Sequence, residues 1–157
     1  MRLWRIAAET REYTANDLSG MGAAKRPGRW NEEGTPVVYC APTAAMAVLE
    51  TAAHVDPAGF PYNRFLVTIE VPDAVWAARE VWLANEMPVT WSAIPAGMTS
   101  AQRGNEWLAA QRAPLLLTPS VIVPEEPIAL INPRHPAAST ITAQTLRLFD
   151  YNKLFRT

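Results

Sequence analysis

The chain is poor in the residues that staple or metallate small proteins, with one cysteine, Cys40, and two histidines, His54 and His135. A single thiol excludes an intramolecular disulfide framework. Without a CxxC pair or a histidine cluster there is no ligand set for zinc, and no metal is expected. A basic surplus is missing too, since 14 basic and 15 acidic side chains leave a formal charge of −1. Proteins that bind phosphate backbones ordinarily carry such a surplus, so direct nucleic-acid binding is not expected. The opening Met1-Arg2-Leu3-Trp4-Arg5 interleaves charge with apolar residues, and no apolar run reaches signal-peptide or membrane-spanning length. The expected compartment is the cytoplasm. A Gly-rich phosphate loop, a GxSxG elbow and an HExxH pair are also absent.

What remains is a globular composition. Over 157 residues, 49% are hydrophobic and 18% charged, which suits one domain, 1–157, with a buried core. Fourteen scattered prolines cut the chain into short elements. Alternation predicts a strand at Phe65–Val71, with Phe65, Val67, Ile69 and Val71 on one face. Further strands are predicted at Leu3–Ile6, Pro36–Cys40, Leu115–Thr118, Ser120–Val123, Ile128–Ile131 and Leu146–Asp150. Helices are predicted at Thr43–Val55, capped by Thr43, and at Thr99–Gln111, starting near Thr99 or Ser100 with Trp107 and Leu108 inward. Strands outnumber helices without alternating with them, which reads as α+β.

The segment richest in chemistry runs Gly28-Arg29-Trp30-Asn31-Glu32-Glu33-Gly34-Thr35 and then, as a short apolar strand, Pro36–Cys40 with Tyr39 near its end. The following helix delivers Glu50, placed at the edge of an apolar arc centred on Met46, Leu49 and Ala53. A glutamate there is either a solvated edge residue or a partly withdrawn one that needs a partner. Each residue also has an ordinary reading. Arg29 alone is a surface arginine, Tyr39 a core tyrosine with a satisfied hydroxyl, and Ser120 a residue that opens a strand. Cys40 reads as a small buried hydrophobe, and Asn132-Pro133-Arg134-His135-Pro136 as a turn with a structural His135.

Taken in order, five blocks resemble the RES domain, a family named for arginine, glutamate and serine positions. They are Gly28-Arg29-Trp30-Asn31, Gly34-Thr35-Pro36-Val37-Val38-Tyr39, Ala47-Val48-Leu49-Glu50, Pro119-Ser120-Val121-Ile122-Val123-Pro124 and Ile131-Asn132-Pro133-Arg134-His135-Pro136. Leu3-Trp4-Arg5-Ile6 is similar to the family's first strand. The resemblance implies a fold like that of ADP-ribosyltransferase toxins, two small mixed sheets with short helices and NAD in a cleft between them. It implies a toxin paired with a helix-turn-helix (Xre-like) antitoxin that covers the active site. NAD is then a substrate, and no cofactor is expected.

The family's arginine, glutamate and serine fall on Arg29, Glu50 and Ser120, its active-site tyrosine on Tyr39, and a first-strand arginine on Arg5. In that reading Glu50 stabilises the positive ribose as the nicotinamide bond stretches. Arg29, with Arg5 second, binds the pyrophosphate. Tyr39 offers a ring face to nicotinamide, with Trp30 nearby and Asn31 among the substrate-binding residues. Ser120 bonds the ribose or the carboxamide. The expected activity is NAD hydrolysis or phosphorolysis, with ADP-ribosylation of a cellular protein as the alternative and a dead antitoxin-binding module as a third. Val48, two residues before Glu50 where many transferases carry an acid or amide that receives the acceptor, leans toward NAD destruction. The tryptophan-rich Trp76–Ile94 segment is expected beside the cleft or against the partner. Whether the exposed faces of Leu3–Ile6 and Phe65–Val71 meet in a homodimer is left open.

Overall fold

A computed structural model describes residues 1–56 and 59–155. Residues 57, 58, 156 and 157 of the expected 1–157 domain lie outside the described residues. The elements run β1 (Arg2–Ala8), α1 (Met21–Lys25), β2 (Val38–Cys40), α2 (Ala44–Ala52), β3 (Arg64–Glu70), α3 (Asp73–Ala77), β4 (Glu80–Val81), α4 (Met98–Ala110), β5 (Leu115–Pro119), β6 (Pro127–Ile131) and β7 (Thr142–Leu148). Short 3-10 turns lie at Ala84–Glu86, Val89–Ser92, Pro136–Thr140 and Tyr151–Leu154.

Two sheets form, as expected for an α+β chain. One is antiparallel, ordered β1-β3-β7; the other is ordered β2-β6-β5-β4, with β4 parallel to β5. They are stitched where Trp4 and Ala41 exchange backbone hydrogen bonds of 2.8 Å each. Side-chain alternation then builds two cores. Leu3, Val67 and Ile69 of the first sheet meet Val38, Leu115, Leu117, Ala129 and Ile131 of the second. On the reverse faces, Ile6, Leu66, Leu116 and Leu130 are covered by Met46 and Ala47 of α2, by Trp107 and Leu108 of α4, and by Trp30, Trp82 and Trp91. Both faces being covered explains why β5 and β6 read as unbroken apolar runs.

That burial overturns several expectations. Leu66 and Thr68, assigned to the other face of their strand, are buried like Val67 and Ile69, so the middle of β3 is covered on both faces. Ser120–Val123 is a turn, because the Ser120 backbone N–H is bonded to the Glu126 carbonyl (2.9 Å) and closes the β5–β6 connection. The last strand is Thr142–Leu148, earlier than Leu146–Asp150. Thr43 does cap α2 by accepting from the Met46 N–H, but α4 starts after Gly97, one residue before Thr99 is reached. Among the described residues no helix is long and apolar enough to cross a membrane.

Cys40 sits in the inter-sheet core, where its thiol donates to the Ala129 carbonyl at 3.4 Å. Burial pushes it up from 9.0 to about 12. A raised folded value means a contribution complete below pH 9 and lost as pH climbs toward 12, because the unfolded chain ionises first. Cys40→Ala is expected to flatten the fall in stability across this window by up to about 1.4 kcal/mol per pH unit. Tyr39 is raised from 10.0 by burial as well, so some slope persists above that pH. Urea titrations at several pH values check this; identical slopes in the two proteins would refute it.

Candidate functional site

Tyr39 is the middle residue of β2, and alternation turns it away from the side that Val38 and Cys40 share. Its hydroxyl donates to Asn31 Oδ1 (2.8 Å) and accepts from the Trp30 N–H (2.9 Å). Asn31 Oδ1 also accepts from the Gly28 N–H (2.9 Å), and its Nδ2 donates to the Ala23 and Thr35 carbonyls (2.8 and 3.0 Å). The loop therefore lies flat on the tyrosine ring. A Cβ on Gly28 would stand 2.7 Å from ring carbon Cζ, which is why glycine is needed there.

Arg29 extends from this anchored loop. Its Nη1 donates to the Trp91 and Ala93 carbonyls at 2.8 and 2.9 Å, leaving Nη2 and Nε without a bond among the described residues. Burial lowers its pKa below the ordinary value, and the negative charge of Glu50 is the largest influence opposing that shift, ahead of Tyr39. The guanidinium stays charged.

Glu50 comes from α2. The inward stripe of that helix is Met46, Ala47, Glu50 and Thr51, while Leu49 is 37% exposed and Ala53 is exposed. The arc is thus rotated from the expected centre, and Glu50 lies within the inward face. Its Oε1 accepts from the Ser120 hydroxyl. Ser120, fully buried, also accepts from the Ile122 and Val123 N–H groups at 3.1 Å each. With its oxygen occupied by two donors, the hydroxyl proton is directed at Glu50, which must act as an acceptor. A carboxylate oriented by a buried hydroxyl, within electrostatic range of a half-buried guanidinium, is suited to pairing an anion with a developing cation.

The structure thus brings Arg29, Tyr39, Glu50 and Ser120 together, but gives four expected substrate contacts different work. Arg5 donates from Nη1 to the Asp17 carbonyl at 2.8 Å, and the charges that influence it are Cys40, Asp17 and Tyr13. It belongs to the inter-sheet side, not to the Arg29 group. Trp30 is 1% exposed, with its ring edge-on to Trp82 and stacked on Trp91. Asn31 is equally buried and its amide is used within the loop, so it organises the loop and has no free group for substrate. Ser120 is likewise committed to Glu50 and the turn backbone, in place of a ribose or carboxamide. His135 caps the following turn, its Nδ1 accepting from the Ala137 N–H at 3.1 Å.

Sequence reasoning missed the Trp91 and Ala93 carbonyls, since main-chain acceptors leave no residue-type signal. The cluster of tryptophans around 76–91 was the available hint that this segment folds onto Trp30. Two cavities lie elsewhere: about 200 Å³ beside Ala52, Phe60 and Tyr151, and about 690 Å³ beside Met21, Pro36, Arg134 and His135. The Arg29–Glu50–Ser120 group lines neither. No group of three or more metal-ligating side chains occurs among the described residues.

Comparison with known proteins bears on this arrangement. A sequence profile of the RES domain matches residues 2–152. A protein of Sphingobium sp. (strain YBL2) named Prs ADP-ribosylating toxin is 52% identical over 149 residues, 95% of this chain and 92% of its own. Toxin Res of Pseudomonas putida KT2440 is 38% identical over 157 residues, 99% of this chain and all of its own. Among solved structures, a chain of the M. tuberculosis MbcT–MbcA toxin–antitoxin complex superposes with a TM-score of 0.59 at 19% identity, covering 92% of this chain and 83% of that one. At that identity the likeness speaks to fold alone.

Proposed function

The chain belongs to the RES-domain family, and from that premise we propose that it is a toxin that cleaves the nicotinamide–ribose bond of NAD at Arg29, Tyr39, Glu50 and Ser120. The observation that carries this reading is the pairing of a Ser120-oriented Glu50 carboxylate with an Arg29 guanidinium whose Nη2 and Nε have no bond among the described residues. NAD presents a pyrophosphate to the guanidinium fork and a ribose to the carboxylate. As the C1′–N bond breaks, its electron pair returns to the nicotinamide ring and neutralises it, so no acid is required. The positive charge moves to the ribose, where Glu50 stabilises it. An acceptor then bonds to C1′ and releases its proton. That proton passes to Glu50 through Oε2, since Oε1 accepts from the Ser120 hydroxyl.

The acceptor separates two readings. The residue pattern favours water or phosphate, because Val48 is half-buried against the core and offers no group to receive a macromolecular acceptor. The name of the 52% identical relative favours a protein acceptor. The fold likeness to a toxin–antitoxin complex supports an antitoxin partner for this chain as well. That partner is of the helix-turn-helix (Xre-like) type and covers Arg29.

The test is incubation of the purified, antitoxin-free chain with NAD labelled in the ADP-ribose half, with and without phosphate and with a cell extract. Release of nicotinamide is the expected result. Label on free ADP-ribose, on its phosphate ester or on a protein band then assigns the acceptor. Intact NAD in all three mixtures, with a folded chain, would overturn the proposal.

A further inference from the structure

The face of α4 that carries Ser100, Gly104 and Asn105 meets the Arg29 loop at three points. Ser100 and Gly104, four residues apart, share one side of the helix, and Asn105 follows at its edge. Ser100, 2% exposed, donates from Oγ to the Trp91 carbonyl at 3.1 Å, the same oxygen that accepts Arg29 Nη1 at 2.8 Å. Gly104 is packed on the Trp30 backbone: a Cβ there would lie 1.8 Å from the Trp30 carbonyl oxygen and 2.6 Å from its carbon. Asn105 brackets Glu32, accepting from its N–H at 3.1 Å and donating to its Oε2 at 2.6 Å.

We propose that this α4 face is the positioning element for Arg29. It fixes the main chain next to the arginine through Gly104 and Asn105, and the far end of the side chain through Ser100 and the Trp91 carbonyl. None of the three touches the group that acts on substrate, so they work through Arg29, and their effect on NAD rests on the pyrophosphate-binding role proposed for that residue. Glu50 and Ser120 are held independently, by α2 and by the β5–β6 turn.

The steric demand is firm at Gly104. A methyl 1.8 Å from a backbone oxygen forces the loop to move by more than an ångström before ordinary contact is restored. Misplacement on that scale costs a reacting constellation up to about 10²-fold. Gly104→Ala is therefore expected to raise the KM for NAD at least about tenfold, with kcat changed less, because binding is disturbed more than the Glu50–Ser120 pair. Ser100→Ala and Asn105→Ala each remove one contact without adding bulk and are expected to act in the same direction by a few-fold.

Two measurements decide the matter. In a double-mutant cycle, each substitution should lose its effect on KM in an Arg29→Ala background, since the residue it acts through is gone; additive effects would overturn the proposal. Independently of NAD, the Arg29 Nε–H resonance, identified by its disappearance in Arg29→Lys, should move toward that of an unrestrained arginine in Ser100→Ala and Asn105→Ala. Those two variants keep the test open if Gly104→Ala does not fold. An unmoved resonance in folded variants refutes the positioning role. A moved resonance in a protein that turns over no NAD upholds it and rejects the enzymatic reading instead.

Discussion

Glu50→Gln is expected to lower the rate of nicotinamide release by about 10²–10³-fold while leaving the protein folded. The substitution keeps the shape of the side chain, and the amide oxygen can still accept the Ser120 proton. What it removes is the charge. A developing oxocarbenium ion in a partly desolvated site is sensitive to that charge in a way the ground-state substrate is not, so the loss belongs in kcat more than in KM. Ser120→Ala separates orientation from charge. It leaves Glu50 in place but unguided and strands the Ile122 and Val123 N–H groups, which now share the Ser120 oxygen. Each lost part-buried hydrogen bond costs about 0.5–1.5 kcal/mol, so this variant is expected to lose stability along with a smaller part of the rate. Initial rates of nicotinamide release, with urea midpoints for each protein, make the comparison. A Glu50→Gln enzyme within a few-fold of the parent would show that the carboxylate has no part in bond cleavage.

The α+β class and the core strands were legible because covered sheets leave long apolar runs, as at Leu115–Leu117 and Ile128–Ile131. The end of that reading came where polar chemistry replaces periodicity. Ser120-Val121-Ile122-Val123 has the composition of a strand, yet the serine hydroxyl competes for the Ile122 and Val123 N–H groups and turns the chain back through Glu126. Helix α2 was read with Leu49 at the centre of its buried face, but neighbouring β1 selects the Met46–Ala47 side, and a leucine left 37% exposed is a small cost beside placing Glu50 inward. Arg29, Tyr39, Glu50 and Ser120 could be proposed together only through the order of their motifs. Their division of labour needed three dimensions. Asn31 looks like a ligand-binding amide in sequence, and only its five hydrogen-bond partners show that the loop consumes it. Arg5 sits on a strand whose alternation sends it to the inter-sheet side, away from Glu50.

Trp30→Ala is expected to destabilise the chain by about 3–5 kcal/mol, the usual cost of deleting a fully buried large aromatic. Set against the 5–15 kcal/mol of a typical domain, that is a substantial fraction of the whole, and corresponds to a Tm lower by roughly 6–20 °C. The ring is 1% exposed, edge-on to Trp82 at a centroid distance of 5.6 Å and stacked on Trp91 at 6.5 Å. Its removal opens a void beneath the segment whose carbonyls hold Arg29, so activity should fall even at temperatures where the fold persists. Trp30→Phe discriminates packing from polarity. The indole Nε1–H is buried with no hydrogen-bond partner among the described residues, and phenylalanine deletes it along with part of the ring. Relief of an unpaired buried donor offsets about 1–3 kcal/mol of the lost contact, so the phenylalanine variant should lie close to the parent and well above the alanine variant. Urea midpoints for the three proteins test that order. Equal losses in Trp30→Phe and Trp30→Ala would mean that the unpaired indole N–H carries no penalty, and that the six-membered ring alone does not sustain the contact with Trp82 and Trp91.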